Sequence, residues 1–444
     1  VPISYLSSIE YLESLYRTPH VPAERAELRR AQTLLDRLGS PHLAFRSVHV
    51  AGSTGKGSTT SMVGSILRAG GHTTGLFRSP HLSTYRERIA IGDALISEDG
   101  WTDIFGRVVP VVEAMRRSEL PGYELGRPTL FEVLFAMACL YFQREGVEWA
   151  AMETGLGGRL DATNLLQSDV AVITNISLEH TQILGSSIGE IAREKAAIIK
   201  TGSTSVAGST KPDALRVIED RARGVGSRLL TLGRDVQVEM CSPHGKFASQ
   251  RIRLLHGAQA VDVDLPLAGA HQATNAGVAW GAAVALRERG VCLEDGAVQE
   301  GLRDVRVPGR LEVFPGEPDV VLDGAHNPAG VEALASALAA APPRPTTLLF
   351  GAMDDKDVES MAAIIAPAVA KVVLCPVPGT HRAASIARLG RAFELVGHQA
   401  EMAETIEQGL GRARDITPSD GRIVIAGSLY IVGALRPIMA QVAV

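Results

Sequence analysis

Cysteine is scarce in this chain, and long apolar runs and blocks of like charge are missing. The four cysteines, Cys139, Cys241, Cys292 and Cys375, lie far apart, with no CxxC and no paired Cys/His spacing. That pattern suggests neither a zinc site nor a disulfide framework, and it predicts reduced, buried thiols. No apolar run reaches membrane-spanning length. The longest, Leu130 to Phe142, is interrupted by Glu132 and reads as a buried helix. No basic stretch followed by an apolar core opens the sequence, so no signal peptide is expected. The net charge is −5 with no run of one sign, which argues against a nucleic-acid surface. There is no short-period repeat and no low-complexity segment. These absences point to a cytoplasmic protein with no nucleic-acid or membrane partner; a monomer acting on small molecules is the expected state.

What is present is an ordinary globular composition, 45% hydrophobic and 21% charged over 444 residues, long enough for two or three domains. Leu6, Ile9, Leu12 and Leu15 fall at helical spacing, as do Leu28, Leu34, Leu35 and Leu38, so the first forty residues read as an outer helical layer. Apolar strands then alternate with helices. Strands are expected at Ser47–Val50, His72–Phe77, Glu148–Glu153 and Val170–Asn175. Helices are expected over Ser58–Ala69, Val108–Arg117, Leu130–Arg144 and Ile188–Lys200. Near-continuously apolar strands of this kind imply a parallel sheet covered on both faces. Residues 226–267 switch to short alternating runs and predict an antiparallel β insert, followed by an Ala-rich helix to Arg287. After Pro308 a second β–α series restarts, with strands at Val320–Asp323, Thr346–Gly351, Val372–Cys375 and Ile423–Gly427. The expected class is α/β: residues 1–305 form the larger domain, with a mostly parallel sheet and a small antiparallel insert. Residues 306–444 form a smaller Rossmann-like domain.

The chemistry centres on Gly52-Ser53-Thr54-Gly55-Lys56-Gly57-Ser58-Thr59, between a strand and a helix. Glycines let backbone N–H groups approach an anion, the helix start adds partial positive charge, and Lys56 adds a full one. Ser58 stands where a nucleotide-bound Mg²⁺ takes an oxygen. The strict phosphate-loop pattern is not met: two residues separate Gly52 from Gly55, and Gly57 intervenes before Ser58. The alternative is a flexible turn. Ser79, Glu153 and His180 also sit just past strand ends, where open α/β sheets bind ligands, and the four together outweigh any one. Each has a plainer reading. Glu153 can pair with Arg159, His180 on its own reads as a hydrogen-bonded core histidine, and Lys195 reads as a solvated helix lysine. Asp323 can be an Asx turn and Arg310 a hinge residue.

An ordered set of pieces resembles the folylpolyglutamate synthase / dihydrofolate synthase family of the Mur ligase superfamily. They are Gly52–Ser58, Ser79–Leu82, Phe131-Glu132, Glu153–Asn164, Leu178–Thr181, Glu194–Ala196, His271-Gln272 with Asn275, Pro308–Glu312, Asp323–Pro328, Met353–Asp357 and Gly427–Tyr430. The resemblance implies an ATP-dependent ligase that joins L-glutamate to dihydropteroate and to reduced folates through an acyl phosphate. It implies an ATP site of Gly52, Ser53, Thr54, Gly55, Lys56, Gly57, Ser58, Thr59, Asn275, Arg310 and Asp323. Two Mg²⁺ ions would be held by Ser58, Ser79, Glu153 and His180, with a monovalent cation besides. Lys195 matches a lysine that is carbamylated, His326 and Ser428 match positions tied to catalysis and glutamate handling, and Asp161 and His81 match the folate side. Lys56, Lys195, His326 and Ser428 are thus the expected catalytic set. The chain departs from the family in having Ser53-Thr54 in the loop, Glu179 in place of Asp before His180, and Arg78 before Ser79, where an extra anion contact is expected. Competing expectations are polyglutamylation alone and a Mur-type peptidoglycan ligase. The latter is disfavoured by the few residues before Gly52. A nucleotide-gated regulatory protein without a ligase step is a third.

Overall fold

The structure, a computed structural model, describes residues 4–15, 26–116, 126–242, 249–380 and 382–442. Its largest sheet has eight strands: β1 (Arg46–Ala51), β2 (Thr74–Phe77), β3 (Ile89–Ile91), β4 (Ala94–Leu95), β5 (Trp149–Glu153), β6 (Val170–Ile173), β7 (Thr204–Ala207) and β8 (Arg228–Thr231). The order is β4-β3-β2-β5-β1-β6-β7-β8. All pairs are parallel except β2–β3 and β3–β4. Side chains alternate across the sheet. Trp149 and Ala151 of β5 therefore join Val48, Val50 and Met62 in one core, while Ala150 and Met152 join Phe135, Met137 and Trp101 in another. The helices Lys56–Ala69 and Ala270–Glu288 cover the first face; Glu98–Arg116 and Leu130–Arg144 cover the second. Burial on both faces explains why these strands read as continuous apolar runs.

A three-stranded antiparallel sheet, β9 (Gln237–Ser242), β10 (Gln250–His256) and β11 (Gln259–Leu265), forms the expected insert. The second large sheet has β12 (Glu312–Phe314), β13 (Asp319–Leu322), β14 (Thr346–Phe350), β15 (Lys371–Leu374), β16 (Glu401–Met402) and β17 (Arg422–Ala426). Its order is β12-β13-β17-β14-β15-β16, parallel but for β12. The two large sheets meet where the loop after β2 touches the last helix. Ser83 Oγ donates to Gly433 O at 2.7 Å, and Leu82 packs in the core that holds Val432.

Several expectations need correction. Residues 228–231 belong to the main sheet as β8, beside β7, and not to the insert. One helix starts at Glu98, well before Val108, carries Pro110 inside, and ends its described length at Arg116; Arg117 lies outside the described residues. The helix from Ile188 stops at Ala196, short of Lys200. A helix at Asp295–Arg303 and the edge strands β12 and β16 were not anticipated. Leu6 is 73% exposed, so the first helix buries Leu12 and Leu15 but not every apolar position. Cys139 and Cys375 are buried and free as expected, but Cys241 and Cys292 are exposed. Cys241 sits on the edge strand of the small sheet, which leaves it to solvent. Among the described residues no helix is long and apolar enough to cross a membrane.

Candidate functional site

Four neighbouring strands, β2, β5, β1 and β6, end together. Val50 of β1 lies beside Glu153 of β5, Met152 beside Phe77 of β2, and Ala51 beside Ile173 of β6. Ser79, Glu153, Gly52 and the segment leading to His180 therefore leave one edge of the sheet, as a parallel sheet's ligand edge requires.

The loop after β1 is held by the loop after β6. Thr54 N donates to Asn175 Oδ1 at 2.8 Å, Asn175 Nδ2 to Thr54 Oγ1 at 2.7 Å, and Thr174 Oγ1 to Thr54 O at 2.7 Å. Ser53 Oγ donates to Ser177 O at 3.1 Å and accepts from Ser177 N at 3.0 Å. The unusual Ser53-Thr54 pair thus fixes the cradle through its hydroxyls. Glycine is required by close approach: a Cβ on Gly52 would lie 1.8 Å from Thr174 Oγ1, and one on Gly55 2.2 Å from Asn275 Oδ1. Gly55, with φ +82°, precedes the helix that starts at Lys56, so the helix N-terminus opens onto the loop. Asn275, held by Gln272 at 3.1 Å, is brought against that loop. Ser58 faces the cavity described below. Thr59 does not: its amide bonds to Gly55 O at 2.9 Å and its side chain is buried.

Two lysines converge on the loop. Lys56 Nζ donates to Gly52 O at 3.1 Å, and Lys195 Nζ to the same carbonyl at 2.9 Å. Lys195 is 1% exposed and ion-paired to Glu179 Oε1 at 2.7 Å, so it is no surface lysine. Burial pulls its pKa down; Glu179 opposes the shift and Lys56 adds to it. Glu179 thus reaches Lys195, and its extra methylene relative to Asp serves that pair.

Glu153 is 3% exposed, against the helix start at Gly57. Its Oε2 accepts from Ser79 N at 2.9 Å, and no described residue donates to Oε1. Burial raises its carboxyl above the usual range; Lys56, the Ser79 amide, Arg78 and Arg310 pull the other way. Arg159 pairs with Glu194 at 2.8 Å, which removes the simple Glu153–Arg159 reading. Arg78 donates to Ser61 Oγ at 3.1 Å and stands near Glu153. His180 is exposed, with φ 44°, at the start of a four-residue helix, so it is not a core histidine.

From the second sheet, the turn Asp323–His326 faces the same place. Asp323 Oδ2 accepts from Leu311 N at 2.9 Å and Oδ1 from Ala325 N at 2.9 Å. Leu311 has φ 47°, a costly conformation for a non-glycine residue, and the Asp323 bond holds it. That turn aims Arg310 at Gly324 and towards Glu153. Burial raises Asp323 and lowers His271, which share the neighbourhood of Arg310. His271 escaped the sequence reading as a site residue. Its nearness to Asp323 spans separate elements and leaves no local spacing to find. His326 Nδ1 bonds Gly324 O at 2.8 Å, and burial lowers its pKa. A carbonyl only accepts, so Nδ1 carries the proton and Nε2 keeps its lone pair.

Three expected residues make contacts within the chain. Ser428 is 1% exposed and its Oγ accepts from Tyr430 N at 3.2 Å, capping the last helix. Asp161 accepts from Gly155 N and Leu156 N, both at 2.9 Å, and from Thr163 N at 3.0 Å, so it shapes the 154–163 loop. His81 Nδ1 accepts from Arg88 Nε at 2.9 Å and its ring lies 4.2 Å from Tyr85; burial and Arg88 bring its pKa down to about 4.

A cavity of about 1120 Å³ opens here, lined at its inner end by Gly57, Ser58, Ser79, Glu153, Arg78 and Arg310. Among the described residues no group of three His, Cys, Asp or Glu stands ready to hold a metal alone. The oxygen donors that are present, Glu153, Ser58 and Ser79, suit a hard cation that draws its remaining ligands from phosphate and water.

Residues 121–283 match the Mur ligase middle domain, and residues 309–429 match the Mur ligase, glutamate ligase domain. A Bacillus subtilis protein named dihydrofolate synthase/folylpolyglutamate synthase is 39% identical over 315 residues, 70% of this chain and 71% of that one. A Halobacterium salinarum protein named probable bifunctional folylpolyglutamate synthase/dihydropteroate synthase is 38% identical over 91% of this chain. This chain spans 48% of its length, about half. Mycobacterium tuberculosis folylpolyglutamate synthase complexed with ADP superposes with a TM-score of 0.88 at 31% identity, covering 98% of this chain and 99% of that one.

Proposed function

This chain belongs to the folylpolyglutamate synthase/dihydrofolate synthase family of Mur ligases, and on that premise we propose that it is an ATP-dependent ligase adding L-glutamate to dihydropteroate and to reduced folates. One observation carries the reading. A buried carboxylate, Glu153, keeps an oxygen free beside a phosphate-type loop, with cations from both large sheets around it. A structural acid would have both oxygens satisfied.

In the reaction, an oxygen of the acceptor carboxylate attacks the γ-phosphorus of ATP and ADP leaves, giving an acyl phosphate. The glutamate amine then attacks the carbonyl carbon and phosphate departs with that oxygen. The loop amides, Lys56 and Asn275 hold the nucleotide, and Arg310 meets the charge that develops between the sheets. Asp323 positions Arg310 through the Leu311 turn. Burial favours the neutral form of His326, and its free Nε2 lone pair takes a proton from the glutamate ammonium, freeing the amine that attacks. Glu153, Ser58, Ser79 and His180 would hold Mg²⁺, which would supply charge neutralisation on the phosphates. A monovalent cation is a further expected ligand. Burial lowers the pKa of Lys195, which favours the neutral amine that carbamylation needs. A division at 305/306 separates the two sheets that share the work.

The test is phosphate release from ATP. The reading requires release only when a pteroate or folate acceptor and glutamate are both present. Turnover without glutamate would overturn it.

A further inference from the structure

The cavity is larger than ATP's terminal phosphate and one carboxylate need. It continues along the helix Lys56–Ala69, past Ser61 and Ser65 to Arg68, walled opposite by Gly92, Asp93 and the segment Arg303–Pro308. Ser58, Ser61, Ser65 and Arg68 are three or four residues apart and share one helix face. Ten residues of helix rise give this groove a length of about 15 Å.

Its charge is opposite to that of the chain. Six arginines and four carboxylates line the cavity, in a protein of net charge −5. At the outer mouth Arg68 pairs with Asp93 at 3.2 Å and Arg303 with Asp304 at 2.9 Å. Both pairs are solvent-exposed, and pairs of this kind contribute little and exchange readily. Arg306 is exposed and forms no ion pair among the described residues. Midway, Ser65 is 7% exposed and its Oγ, buried, has no hydrogen-bond partner. A buried hydroxyl left unpaired on a cavity wall marks a place for a polar ligand.

We propose that this groove seats the γ-linked oligoglutamate tail of the acceptor, a deepening that rests on the ligase reading above. The reacting carboxylate lies at the Glu153 end, and the earlier glutamyl units run outward. Each γ-linked unit leaves one α-carboxylate as a side branch, so the tail is a regularly spaced polyanion. An α-linked residue spans roughly 3.5 Å and a γ-linked one more, so about three units fill the groove. Ser65 donates to the tail midway. Arg68 and Arg306 clasp α-carboxylates at the mouth through guanidinium–carboxylate pairs. A tail-less acceptor such as dihydropteroate brings no α-carboxylate to them, so affinity rises with tail length.

The test compares dihydropteroate and mono- and triglutamyl tetrahydrofolate as acceptors for the wild type and for Arg68→Ala/Arg306→Ala. Binding of free γ-linked triglutamate is measured by calorimetry alongside. We expect the acceptor KM for the triglutamyl form to rise at least tenfold in the variant, with kcat unchanged, and triglutamate binding to weaken to match. Dihydropteroate and the monoglutamyl form should stay within twofold of wild type, which also shows that the variant folds. Arg68→Lys/Arg306→Lys, which keeps the charge, should recover part of the loss. An equal change across all acceptors, or no change, overturns the groove while leaving the ligase reading standing. If no acceptor is glutamylated by the wild type, the ligase reading fails. The groove is then judged on triglutamate binding alone, and unchanged affinity in the variant overturns it.

Discussion

Glu153 closes β5, and Asp323 follows β13 by one residue; both are carboxylates buried at the end of a parallel strand, and burial raises the pKa of both. Their hydrogen bonds differ. Asp323 gives both oxygens to backbone amides, those of Leu311 and Ala325. Glu153 gives one oxygen to Ser79 N, leaves the other without a donor among the described residues, and lies among the charges of Lys56, Arg78 and Arg310. A carboxylate that is fully bonded to its own backbone builds a turn. One left half-bonded among cations keeps capacity for a ligand. In this account the larger sheet supplies the reacting centre, and the smaller sheet supplies an arginine held at the right place.

The largest expected effect lies at the loop itself. Lys56→Ala should lower kcat by about 10³-fold, since phosphoryl transfer depends on positioned charge. Its melting temperature should stay near that of wild type, because Lys56 bonds only a loop carbonyl of its own segment. Near-normal turnover would break the assignment of the larger sheet's edge.

Next, the two carboxylates should separate cleanly under amide substitution. Glu153→Gln should cost about 10²-fold in kcat. Without nucleotide it should melt higher than wild type at neutral pH. The sign follows from the raised pKa: folding disfavours the ionised form, so the wild type's stability is fullest below the ordinary carboxyl pKa and declines as pH rises through the folded value. The gap to Glu153→Gln should therefore close in acid, which a melting series across pH would read. Asp323→Asn should do the reverse to stability. It sets an amide donor against a backbone N–H, leaving a buried group unpaired at a cost of about 1–3 kcal/mol. Its kcat should fall about tenfold through the misplaced Arg310. If Asp323→Asn were stable and Glu153→Gln unstable, the comparison would be inverted.

The smallest effect is expected at Glu179. Its charge holds the Lys195 pKa up against burial. Glu179→Gln should therefore let Lys195 lose its proton at lower pH. A carbamate formed from ¹³C-labelled bicarbonate should then be detected by NMR at lower pH than in wild type, with kcat changed only a few-fold. An unchanged pH profile would show that the pair does not set the lysine's state.

The same contrast explains what the sequence could reveal. Gly52–Ser58, Ser79 and Glu153 each end an apolar run, a local pattern, and the sheet order β2-β5-β1-β6 then sets them side by side. Lys195 was recovered from a short family match although its type argues for the surface; its burial comes from Glu179 and the Gly52 carbonyl, far off in the chain. The turn at Leu311 was not legible. Nothing near Asp323 announces that it will hold Leu311 at positive φ, because the bond crosses from one element to another. The same holds for His271 beside Asp323 and for the Thr174-Asn175 clamp on the loop. Ser428 and Asp161 were found by family position, and their oxygens also cap a helix and a loop, contacts that no local pattern announces. At the fold level, β8 was misread because a short half-exposed strand looks alike at the edge of either sheet type.

The central claim is that the cradle and Glu153 activate an acceptor carboxylate as an acyl phosphate. Dihydropteroate labelled with ¹⁸O in its carboxylate, turned over once with ATP and glutamate, tests it most directly. The account predicts phosphate carrying one ¹⁸O atom from the acceptor. Unlabelled phosphate, formed together with the glutamylated product, would contradict it.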